Sequence, residues 1–126
     1  MSEALRGGCY CGAVRFEVEG ELRDLDVCNC SICRMTAYVH WSVPPQRFRL
    51  LTPESAYETY RFGTRVAEHR FCRTCGISPF RRSRSEPDMV DVNARCLEGV
   101  DAEALPVRHF DGVHWERTMR ERQRED

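Results

Sequence analysis

Cys28-Asn29-Cys30-Ser31-Ile32-Cys33 places three thiols within six residues. A C-x-C step sets two sulfurs on one side of an extended backbone, because side chains alternate with period two. The C-x-x-C step that follows turns a third sulfur back toward them. Three convergent thiolates describe a metal site, and zinc is the ion that clustered thiolates favour. Three protein ligands with an open fourth position mark a catalytic zinc. A fourth thiolate would make the site structural, and Cys96 is the spare cysteine that could supply it. Three thiolates around Zn²⁺ carry a net charge of about −1, which makes the metal a weak Lewis acid. Its better use is to hold an incoming thiol as its thiolate, oriented for attack on an electrophile. A fourth thiolate would bring the charge to about −2 and call for a nearby cation. Arg34, directly after the last ligand, is the candidate for that part, or else a surface charge.

Two further cysteine pairs flank this triplet. Gly8-Cys9-Tyr10-Cys11-Gly12 is a C-x-C between glycines, and Cys72-Arg73-Thr74-Cys75-Gly76 is a C-x-x-C closed by glycine. Together they supply four thiolates, the donor set of a closed tetrahedral zinc site, with the glycines taking backbone conformations that other residues resist. Such an ion ties the start of the chain to a distant hairpin. It closes a long loop and contributes folding free energy on the order of ten kcal/mol.

The remaining candidates are less directed. Cys96 follows an apolar strand and reads equally as a small buried hydrophobe. His40 either faces the triplet or packs in its aromatic strand, and Tyr38 and Trp41 are either core or pocket wall. Composition narrows the partners. The net charge of −1 and pI near 6.4 argue against a nucleic-acid or anionic-membrane partner. No stretch has the length of a membrane span and Met1 to Arg6 carries no apolar signal run, so the expected setting is the cytoplasm, where clustered cysteines bind metal rather than form disulfides. Lysine is absent, which excludes Schiff-base chemistry on a lysine side chain and leaves arginine as the anion-binding group.

The elements that must position these thiols are short strands. Val14, Phe16 and Val18 alternate with Arg15, Glu17 and Glu19, the pattern of a half-buried strand ending at Gly20. A second strand ending at Val27 delivers Cys28. Residues 37–43 read as a strand stopped by Pro44-Pro45, and Phe48 to Leu51 as a short strand or turn. Residues 56–62 and 65–71 form a hairpin around Gly63-Thr64 that delivers Cys72. Residues 77–82, 89–96 and 105–110 complete the strand set, and no amphipathic helix is expected between them. This pattern predicts one mainly β domain of short antiparallel strands stapled by zinc over residues 1–115. Residues 116–126 alternate arginine and acid and form a charged tail, either a solvated helix or disordered.

The order C-x-C, C-x-C-x-x-C, C-x-x-C-G resembles the glutathione-dependent formaldehyde-activating enzyme family, also called the centromere protein V/GFA family. Val92-Asn93-Ala94-Arg95-Cys96-Leu97 and His109-Phe110-Asp111-Gly112 are similar to its later segments. The resemblance implies an Mss4-like β fold and two zinc ions per chain, a structural one on Cys9, Cys11, Cys72 and Cys75 and a catalytic one on Cys28, Cys30 and Cys33. It also implies carbon–sulfur lyase chemistry on a glutathione adduct, in its named form the reversible joining of glutathione and formaldehyde to S-(hydroxymethyl)glutathione. Asn29 stands where members of the family often carry histidine. The alternative is a zinc-stapled binding module without chemistry, as centromere-associated relatives suggest. A redox role for Cys30 and Cys33 is disfavoured because no βαβ pattern surrounds them and Cys28 adds a third thiol.

Overall fold

The computed structural model describes residues 4–125, and the side chains of residues 4–123. Ten strands form two sheets. β1 (Ala4–Gly8), β2 (Arg15–Glu19) and β5 (Phe48–Leu50) make a three-stranded antiparallel sheet in the order β1-β2-β5. β3 (Leu25–Cys28), β4 (Val39–Val43), β6 (Tyr57–Tyr60), β7 (Glu68–Cys72), β8 (Phe80–Arg82), β9 (Val90–Asn93) and β10 (Val107–Phe110) make a seven-stranded sheet. Its order is β10-β3-β4-β9-β8-β7-β6. The mainly β architecture is the expected one.

Alternation drives the core, as period-two patterning requires. Phe16 and Val18 are buried between outward-facing Arg15, Glu17 and Glu19 on β2, and Val39, Trp41 and Val43 do the same on β4. The rings of Phe16, Phe48 and Phe80 meet at 4.9 to 6.3 Å between centroids and join the two sheets. β1 also lies on this core, a strand absent from the expected set. Gly7 permits that approach: a Cβ there would fall 2.5 Å from the Cys96 carbonyl oxygen and 2.8 Å from the Phe16 ring.

Two further features depart from the sequence-based expectations, and the charged tail takes the helical one of its two expected forms. β10 pairs with β3 in parallel, Phe110 opposite Cys28, so the pairing is not antiparallel throughout. This single parallel pair points the ends of both strands at the same place, since parallel neighbours share a C-terminal edge. A short helix, α1 (Ser31–Thr36), runs through the triplet. With only six residues it carries no detectable apolar period, and its one buried residue is the thiol Cys33. The charged tail is helix α2 (Trp115–Glu125). It is tied back to β3 because Asp26 accepts hydrogen bonds from both Arg108 and Arg122, at 3.0 to 3.3 Å.

Candidate metal centres and the cleft above them

Cys9 and Cys11 sit in the loop after β1, Cys72 ends β7, and Cys75 follows in the turn. Their four sulfurs lie within 4.8 Å of one another. Cys9 to Cys11 is 3.7 Å and Cys11 to Cys72 is 3.6 Å. Four sulfurs at about 2.3 Å around a tetrahedral zinc stand about 3.8 Å apart, so the residues fit the ion. The local backbone supports anionic sulfur. The N–H groups of Cys75 and Thr74 donate to Cys72 Sγ at 3.4 and 3.3 Å and push its pKa down to about 6. Gly76 holds φ +79° in this turn, which is the conformation expected of it.

Cys28 ends β3, Cys30 stands at the N-cap position of α1, and buried Cys33 lies one turn into the helix. Their sulfurs also lie within 4.8 Å of one another. The three thiols share charge. Cys30 is pushed down to about 2 by hydrogen bonds from Cys28 and Cys33, while Cys28 and Cys33 are pushed up by the thiolate beside them. The trio holds one negative charge readily and further ones only against repulsion, a donor set suited to a divalent cation. All eight cysteines are free thiols.

Cys96 joins neither group. Its Sγ lies 3.9 Å from the Ser78 carbonyl, and burial pushes its pKa up to about 11. Among the described residues the triplet therefore has three thiol donors, and the one spare cysteine of the chain is elsewhere.

The cation at these sulfurs is Arg81, which sequence reasoning missed. Its side chain is 1% exposed, with Nη1 3.7 Å from Cys33 Sγ and its guanidinium 3.6 Å above the Tyr38 ring. β8 pairs with β9 in a register that sets Arg81 opposite Asp91, itself buried. An arginine in a three-residue strand beside Phe80 and Arg82 carries no sequence signal of its direction. Arg34, by contrast, is exposed and lines a separate cleft of about 460 Å³ behind the triplet, with Arg95, His109 and Asp111.

A larger cleft of about 670 Å³ opens over the triplet. His40 and His69 stand in its wall. His40 Nδ1 lies 2.5 Å from Asp91 Oδ2, an N–H donating to a carboxylate, and its buried Nε2 has no partner. His40 thus faces the site rather than only packing in the strand. Tyr38 is core: it is buried and its hydroxyl donates to the Asp91 carbonyl at 2.6 Å. Trp41 is core as well. Burial, reinforced by Arg81, pushes His69 down to about 4 and keeps it neutral. No helix among the described residues is long and apolar enough to cross a membrane.

The comparisons with known proteins agree with this geometry. Over 82% of its length the chain is similar to a Rhodobacter sphaeroides protein of known crystal structure. The two are 37% identical with a TM-score of 0.74, and 99% of that chain is covered. Residues 4–110 match the family described as glutathione-dependent formaldehyde-activating enzyme, and α2 lies beyond the matched segment. With both cysteine groups inside that match, the chain belongs to the glutathione-dependent formaldehyde-activating enzyme family.

Proposed function

We propose that the protein is a zinc-dependent carbon–sulfur lyase acting on a glutathione-type thiol adduct such as S-(hydroxymethyl)glutathione. The observation that carries the reading is the set of three convergent thiols on the floor of a 670 Å³ cleft, with a buried arginine against them and a second, four-thiol group apart from them. Zinc bound at Cys28, Cys30 and Cys33 would hold the substrate sulfur as its thiolate, and zinc at Cys9, Cys11, Cys72 and Cys75 would staple the fold.

In the cleaving direction the bond between the hydroxymethyl carbon and sulfur breaks, and its electron pair leaves on sulfur. The adduct hydroxyl gives up its proton while its oxygen becomes the carbonyl of formaldehyde. His40, held through Nδ1 by Asp91, takes that proton on Nε2 and returns it in the joining direction. Arg81 offsets the negative charge gathered on the sulfurs, the part that position along the chain had suggested for Arg34. Eight free thiols suit a reducing compartment, in keeping with a cytoplasmic setting.

Cobalt in place of zinc tests the reading. Its thiolate-to-metal absorption should grow when glutathione is added and stay flat with S-methylglutathione, whose sulfur cannot ionise. The protein should also accelerate exchange between glutathione and its formaldehyde adduct, followed by NMR, and Cys30→Ser should abolish the acceleration. An equal cobalt response to both peptides, with no acceleration of exchange, would leave the zinc-stapled binding module as the better account.

A further inference from the structure

We propose that helix α2 is a specificity wall, which seats a bulky apolar or aromatic group on the carbon bonded to the substrate sulfur, and that Asn29 is the positioning residue that holds this wall in place. The proposal rests on the thiol-adduct reading of the triplet and adds the class of electrophile.

The segment beyond residue 110 lies outside the family match, yet it is joined directly to the ligand loop. Asn29, between the first two thiols, donates through Nδ2 to Asp111 Oδ1 at 2.9 Å, and its Oδ1 accepts from the Val113 N–H at 3.0 Å. Asp111 in turn fixes the start of α2. Its carboxylate faces His114 Nδ1 at 2.8 Å and Arg117 at 3.2 Å, and its carbonyl accepts from the Thr118 hydroxyl at 2.8 Å. Gly112 allows the closest approach, since a Cβ there would fall 2.4 Å from Cys28 Sγ. The helix is thus referenced to the sulfurs themselves.

What this seats in the cleft is an aromatic side chain. Trp115 lines the cavity with the Arg84 guanidinium stacked 3.8 Å over its ring. Phe62 and Tyr60 line the same cavity, 47% and 52% exposed, their rings 5.7 Å apart. Phe62 also stacks on His69 at 5.4 Å. Large aromatic faces left open to water around a reactive floor mark a binding surface. A one-carbon hydroxymethyl group is too small to cover them. An adduct R–CH(OH)–S–R′ with an aromatic or bulky apolar R would do so. Its cleavage follows the same balance: the carbon–sulfur pair leaves as R′–S⁻, the hydroxyl proton is released, and the aldehyde R–CHO forms.

The test is calorimetric binding to the full, zinc-loaded chain with two probe pairs, S-benzylglutathione against S-methylglutathione and benzyl mercaptan against ethanethiol. The benzyl member of each pair should bind about tenfold more tightly or better, given what a few buried carbons contribute to discrimination. Trp115→Ala should bring each ratio to within about threefold, Trp115→Phe should retain most of it, and Asn29→Ala should lower it with the zinc content unchanged. Equal affinity within each pair, or a ratio indifferent to Trp115→Ala, would overturn the wall. Loss of the triplet's zinc in Asn29→Ala would overturn the positioning role given to Asn29. If free glutathione gives no response at the cobalt-substituted site but benzyl mercaptan keeps its Trp115-dependent advantage, the wall stands and the glutathione reading falls.

Discussion

Arg81 and His69 show how a single buried side chain sets the chemistry of the cleft. Arg81 is the cation nearest the thiolates, and its Nε has no hydrogen-bond partner. Arg81→Met should remove that offset and raise the pH midpoint of glutathione binding at the cobalt-substituted site by about one to three units, the range by which a close opposite charge shifts an ionisation. Arg81→Lys should recover part of the shift. His69 titrates at about 4 because its charged form is costly in this wall. In the unfolded chain histidine binds its proton near pH 6.5, so between about pH 6.5 and 4 the unfolded state holds more protons and stability falls as pH falls. An NMR titration should show the His69 ring neutral at pH 5. A ring titrating near 6.5 would mean that the cleft wall is open to water.

The parallel pairing of β10 with β3 is the element that assembles the site. It brings the Asp111-Gly112 turn against the triplet, and the Asn29 N–H donates to the Phe110 carbonyl at 3.2 Å. Gly112 has no room for a side chain: a Cβ would meet Cys28 Sγ at 2.4 Å and Cys30 Cβ at 3.1 Å. Gly112→Ala should therefore displace the ligand loop or the start of α2, at about 1–3 kcal/mol for a forced contact of this kind. Zinc stoichiometry should fall by about one equivalent, with the four-thiol ion retained. Two ions retained with an unchanged melt would show that the turn yields freely.

Across the whole molecule the two cysteine groups should fail differently. The four-thiol group joins the loop after β1 to the end of β7 and spans both sheets, so Cys9→Ser or Cys75→Ser should lower the melting temperature severely and promote aggregation. Cys30→Ser should leave a folded domain short of about one zinc. Cys96→Ala should keep both ions and cost on the order of 1–2 kcal/mol, as loss of a small half-buried side chain does. Thermal melts with metal analysis on the four variants decide the matter. Equal collapse of both classes would dissolve the division into staple and active site.

Much of this was legible in the residues alone. Thiol spacing is local chemistry, so the two thiol clusters were legible in C-x-C and C-x-x-C steps, and the alternation of Val14, Phe16 and Val18 identified a strand because side-chain direction in an extended chain repeats every two residues. The environment of the thiols was not legible, because it depends on register between strands far apart in sequence. Only the pairing of β8 with β9 places Arg81 beside Cys33 and Asp91, and only that of β4 with β9 brings Asp91 to His40. Only the parallel contact of β10 with β3 carries a tail of alternating charges, featureless as sequence, into the wall of the cleft over the three thiols.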